Sequence, residues 1–151
     1  MYAYRIADAR HPIFDPTGAM LHGGRWNSAG KRVIYAAETY AGALLEILVH
    51  ANLNRPPKHQ QSVRIFIPDA IVIEDVVLDQ VHGWDKEDAS VSQQFGDAWY
   101  ESKRSAILRV PSVATQGREK NLVINTEHKQ FRLITADRPE AVLWDTRLFG
   151  R

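Results

Sequence analysis

The polar and apolar positions of this chain point to many short strands and few helices. Tyr2–Ala7 (YAYRIA) predicts a first strand, and Arg32–Ala37 (RVIYAA) a short apolar one. Thr39 stands where a helix N-cap belongs. Tyr40–Asn52 then carries apolar residues on nearly every face, which predicts a substantially buried helix. Glu46 and His50 are its polar exceptions, four residues apart on one face. Asn54–Lys58 (NRPPK) reads as a loop, since Pro56 and Pro57 cannot continue a helix. Ser62–Ile67 and Ile71–Val77 read as strands joined by a turn at Pro68–Asp69. Asp79–Ala89 is polar and expected to be exposed. Val91–Ser102 predicts a second helix, with Phe95, Ala98 and Trp99 on one face. Ala106–Val110, Leu122–Asn125 and Phe131–Thr135 complete the strands. Gly18–Gly30 holds four of the nine glycines and reads as a mobile loop or an irregular hairpin. The pattern predicts one α+β sheet domain over residues 1–151.

Composition narrows the function. With 151 residues the chain is long enough to bury a core without disulfide or metal staples. It has no cysteine, which excludes thiolate zinc sites and cysteine nucleophiles and fits a reducing cytoplasm. The net charge of +1 is not that of a dedicated nucleic-acid binder. Locally the balance is uneven. Asp69–Glu101 holds nine acids and one base, and Ser102–Arg132 holds seven bases and two acids. No apolar run approaches the roughly 18 residues of a membrane span. The opening MYAYRIADAR lacks the basic-then-apolar order of a secretory signal.

Four residues stand out as candidates for chemistry. Glu46 lies between Leu45 and Ile47, and a carboxylate among apolar neighbours is costly unless paired, a cost tolerated most often at functional sites. Arg25 lies in GGRWNSAG, where glycines allow close backbone approach to a ligand and the guanidinium can fork onto phosphate or carboxylate. Tyr35 can stack on a flat ring while its hydroxyl hydrogen-bonds. Ser112 follows Pro111 at the end of a strand. Each also has a plain structural reading: a solvent-facing helix glutamate beside His50, a surface arginine on a hairpin, a core tyrosine and a polar turn. Neither GxxxxGK[ST] nor GxSxG is present, and the six histidines form no HExxH pattern. No metal is expected.

The ordered set resembles a known family. Arg25 in GGRWNSAG, Tyr35 in VIYAAET, Glu46 in ALLEILVH and Ser112 in RVPSVAT follow one another as in RES-domain proteins. The opening YRI around Arg5 and the later NLVIN and His128 fit the same order, so the resemblance spans about Tyr2–Arg147. It implies a fold like that of ADP-ribosyltransferases, with a split, mostly antiparallel sheet around an NAD cleft. It implies a type II toxin that cleaves the nicotinamide–ribose bond of NAD, as a glycohydrolase, an ADP-ribosyltransferase or both. It also implies neutralisation by an Xre-type helix-turn-helix antitoxin and a homodimer within the toxin–antitoxin complex. The implied site is Glu46, Arg25, Tyr35 and Ser112, with Arg5 as a further NAD-binding residue, and with neither nucleic acid nor membrane as a direct partner. The alternatives are a ribonuclease using the basic stretch Lys103–Arg132, and a binding module without catalysis.

Overall fold

The computed structural model describes residues 1–51 and 54–150. Its strands are β1 (Tyr2–Asp8), β2 (Val33–Ala37), β3 (Gln60–Phe66), β4 (Ile73–Asp75), β5 (Ile107–Pro111), β6 (Lys120–Asn125), β7 (Thr135–Ala136) and β8 (Glu140–Ala141). The helices are α1 (Thr17–His22), α2 (Tyr40–His50) and α3 (Ser90–Ser102). One sheet runs in the order β4-β5-β6-β2-β1-β3, with β7 and β8 on successive stretches of the outer edge of β3. All pairings are antiparallel except β4 with β5. The α+β, mostly antiparallel expectation holds.

The central strands read as continuous apolar runs because both faces of the sheet are covered. Successive side chains point to opposite faces. On β2 and β6, Ile34, Leu122 and Ile124 join Ala3, Ile65 and Ile107 in one core. The alternate residues Val33 and Val123 join Leu108, Trp26 and Trp99 in another, beneath α3. A third, smaller cluster seats Ala43 of α2 on Ile6 and Ala37.

The sheet splays at one place. β1 pairs with β3 from Tyr2–Phe66 to Asp8–Gln60, and β2 with β6 from Val33–Asn125 to Ala37–Asn121. Between β1 and β2 the register is the single pair Tyr4–Ala37 among the described residues. A backbone carbonyl left at such a gap needs another donor. Arg5 supplies it: Nη1 donates to Tyr35 O at 2.9 Å, and Nε to Ile13 O at 2.7 Å.

Several local expectations are corrected. Gly18–Gly30 begins inside α1, and only its second part turns back, at the Gly24–Asn27 bridge. α3 holds that part still. Ser28 donates to Asp97 through its backbone N–H (2.9 Å) and Oγ (2.5 Å), and Gln93 Nε2 donates to Gly24 O at 2.9 Å. The strands on either side of the Pro68–Asp69 turn are not neighbours in the sheet. The turn exists, with Ile71 N–H donating to Pro68 O at 3.0 Å, but β4 crosses to the far edge and pairs with β5. Phe131–Thr135 is mainly a 3-10 turn over Lys129–Leu133, because the His128 ring nitrogen accepts the Gln130 N–H and caps it. α2 is capped by Thr39 as expected, with Gly42 N–H donating to Thr39 Oγ1. It is only half-buried, since one face packs on the sheet and Val49 is 52% exposed. The expected final residue, Asn52, lies outside the described residues. In α3 it is Ser92, Gly96 and Trp99 that are buried; Ala98 is exposed.

Gly96 is where α3 meets the glycine-rich segment. A β-carbon there would lie 1.7 Å from Trp26 O, a backbone atom. Gly96→Ala is therefore expected to destabilise the fold by about 3 kcal/mol or more, at the upper end of overpacking costs. The shift of the urea midpoint measures it.

Candidate active site

The splay opens into a cavity of about 730 Å³, within the range of small-molecule sites. β1 contributes Arg5, β2 Tyr35, the glycine-rich segment Arg25, and α2 Glu46 and His50. Four of the five residues expected at the site thus line one cavity. The fifth, Ser112, is 3% exposed and lies behind Glu46.

Glu46 projects from α2 across the end of the sheet. Its Oε1 accepts two hydrogen bonds, from Ser112 Oγ at 2.9 Å and from Asn121 Nδ2 at 3.0 Å. Oε2 has no hydrogen-bond partner among the described residues, and Glu46 lines the cavity. Charge-assisted bonds of this kind fix an ionised carboxylate in position. Ser112 is itself locked, with its N–H donating to Glu119 O and its carbonyl accepting from Gly117 N–H. Asn121 was not singled out from the sequence. It lies two residues before Val123 on the same face as Tyr35, and because the strand also carries Lys120 and Asn125, its polarity alone did not mark it.

Tyr35 lines the cavity with its ring, while its hydroxyl is fully used. It accepts from Trp26 N–H at 3.0 Å and donates to Asn27 Oδ1 at 2.6 Å. Asn27, 1% exposed, passes the connection on by donating to Ala19 O and Ser28 O. A β-carbon at Gly24 would lie 2.8 Å from the Tyr35 hydroxyl, so the segment can close over the ring only with glycine there. Burial pushes the ionisation of Tyr35 well above that of a free tyrosine.

Arg25 reaches the opposite wall. Its Nη1 donates to Trp84 O at 2.9 Å and Lys86 O at 2.7 Å, tying the exposed segment before α3 to the cavity rim. Nε and Nη2 make no hydrogen bond among the described residues and remain for an anion. Arg5 sits deeper. Burial lowers its pKa against an opposing effect of Asp15, yet an arginine stays cationic at neutral pH. The cavity therefore combines an anchored carboxylate, two guanidinium groups and an aromatic wall.

The comparison with known proteins is decisive on ancestry. A family model described as the RES domain matches residues 2–145. The chain belongs to the RES-domain family. This RES domain is similar to the Prs ADP-ribosylating toxin of Sphingobium sp. (strain YBL2), with 39% identity over 156 residues, covering 98% of this chain and 96% of the relative. It is 32% identical over 152 residues to the Toxin Res of Yersinia enterocolitica serotype O:8 / biotype 1B, covering 98% and 99%. Among solved structures it is similar in fold to a chain of the M. tuberculosis MbcT–MbcA toxin–antitoxin complex. That match has a TM-score of 0.75 at 18% identity, covering 92% of this RES domain and 82% of that chain.

Proposed function

We propose that this protein is the toxin of a toxin–antitoxin pair and cleaves the nicotinamide–ribose bond of NAD, passing ADP-ribose to water or to an acceptor. The observation that carries the reading is Glu46, held through one oxygen by Ser112 and Asn121 with the other left to the cavity. The names of the relatives support it: an ADP-ribosylating toxin, a Toxin Res and a toxin–antitoxin complex.

Cleavage of an N-glycosidic bond passes through an oxocarbenium-like state. A fixed carboxylate stabilises that positive charge and orients the incoming nucleophile. Arg25 and Arg5 suit the pyrophosphate, by charge-assisted bonds. The Tyr35 ring offers a face for stacking. Ser112, spent on Glu46, acts as a positioning residue. The neutralising partner is an Xre-type helix-turn-helix antitoxin in this reading, with a toxin homodimer inside the complex.

The test is to incubate the purified protein separately with NAD and with RNA. Free nicotinamide with intact RNA supports the reading. Cleaved RNA with intact NAD would overturn it in favour of a nuclease, and neither reaction would leave a binding module. Asn121→Ala, which strips Glu46 of one of its two donors, is expected to lower kcat for nicotinamide release about tenfold or more, the worth of one hydrogen bond to a charged group. KM should hardly move, because the amide is engaged by Glu46. Steady-state kinetics separate the two.

A further inference from the structure

A second concavity, of about 490 Å³, is lined by neighbouring stretches of the same elements. It is lined by Arg10, Arg55, Pro57, Lys58 and His59, with Asp8 as its one acid. The two share their walls in sequence. β1 gives Arg5 and Ile6 to the NAD cavity and Asp8 to this one, about 7 Å further along the strand. α2 gives Val49 and His50 to the first, and Ala51, the residue just past its end, lines the second.

The charges here are unevenly satisfied. Arg10 is held by Asp8, with Nε 3.0 and 3.1 Å from its two oxygens. Arg55 and Lys58 make no ion pair or side-chain hydrogen bond among the described residues. Pro56 and Pro57 restrict the backbone between them, and His59, just after Lys58, adopts φ 60°, a left-handed conformation that a β-carbon disfavours. The His59 carbonyl is pinned by Ala9 N–H at 2.6 Å. Two cations without an ion pair among the described residues thus line a concavity built from stretches of chain next to those that line the cavity of Glu46.

We infer that this concavity is a phosphoanion site, which receives a phosphate-bearing group of a molecule whose reacting end meets Glu46. The inference rests on the NAD-cleaving reading of the neighbouring cavity. The phosphate has two chemical sources. One is the 2′-phosphate of a dinucleotide, which would make NADP the preferred substrate. The other is a separate phosphorylated acceptor of ADP-ribose.

The test uses the full chain with Glu46→Gln, so that dinucleotide is not consumed, and titrates inorganic pyrophosphate by calorimetry at low ionic strength with NAD saturating the large cavity, so that Arg25 and Arg5 are already occupied. Saturable binding is expected, weakened roughly tenfold or more for each cation removed in Arg55→Ser/Lys58→Ser. Loss of this binding when NADP replaces NAD assigns the phosphate to the dinucleotide. Unchanged binding with NADP assigns it to a separate acceptor. No saturable binding, or equal binding in the double variant, would overturn the site. With Glu46 intact, the double variant keeps its cleavage of NAD, since neither residue lines that cavity. If Glu46→Gln binds pyrophosphate here but binds no NAD, it is the reading of the large cavity that fails.

Discussion

Glu46→Gln is expected to fold normally and to release nicotinamide about 10²–10³-fold more slowly than the parent, the loss typical of removing one preorganised stabiliser of developing charge. The geometry makes this substitution clean. Both native hydrogen bonds converge on Oε1. A glutamine oxygen accepts the same two bonds, so Ser112 and Asn121 stay satisfied. What changes is the group on the cavity side, from half of a carboxylate to an amide. Melting temperature checks the fold and single-turnover kinetics the chemistry. Turnover equal to the parent's would remove Glu46 from the mechanism. Glu46→Ala is a poorer probe, because it also leaves the Asn121 amide and the Ser112 hydroxyl without their acceptor.

Tyr35→Phe is expected to cost about 2–6 kcal/mol of stability, since it strips partners from two buried groups, Trp26 N–H and Asn27 Oδ1, at about 1–3 kcal/mol each. The ring remains, so stacking survives. The glycine-rich segment loses its central tie, and Arg25 with it, so KM for NAD should rise more than kcat falls. Denaturant unfolding and steady-state kinetics read the two effects. Alkaline pH offers an independent check. The folded pKa of Tyr35 is raised above that of the unfolded chain. Its contribution to stability is therefore complete below about pH 10 and declines above it, as the unfolded tyrosine ionises and the folded one does not. Tyr35→Phe should flatten that alkaline decline. An unchanged slope would mean that the hydroxyl is not buried as described.

The site was more legible in the sequence than its wiring. Arg5, Arg25, Tyr35, Glu46 and Ser112 could be named because the family order places them, and four of them line the cavity. Their partners could not. That Arg25 holds the carbonyls of Trp84 and Lys86, or that Ser28 holds Asp97, depends on α3 folding back over a segment some 60–70 residues earlier, and no local pattern encodes that. The glycine-rich stretch looked mobile for the same reason: its restraints are distant. RVIYAA and NLVIN were readable as strands because both faces of the sheet are buried, which leaves an uninterrupted apolar run. Phe131–Thr135 imitated such a run, but a histidine cap outside it decided the turn. The turn at Pro68–Asp69 was readable, but a turn sets the direction of the chain and leaves the choice of strand partner open.

The two bonds that anchor Glu46 have a consequence for the protein's own synthesis. Glu46 leaves the ribosome 66 residues ahead of Ser112 and 75 ahead of Asn121. At translation rates of roughly 5–20 residues per second, the carboxylate waits about 4–15 s for its second donor. Tyr35 waits longer still, since the strand that flanks it through Val123 comes later. A nascent chain thus carries Glu46 with neither of its supports until most of the polypeptide has been made.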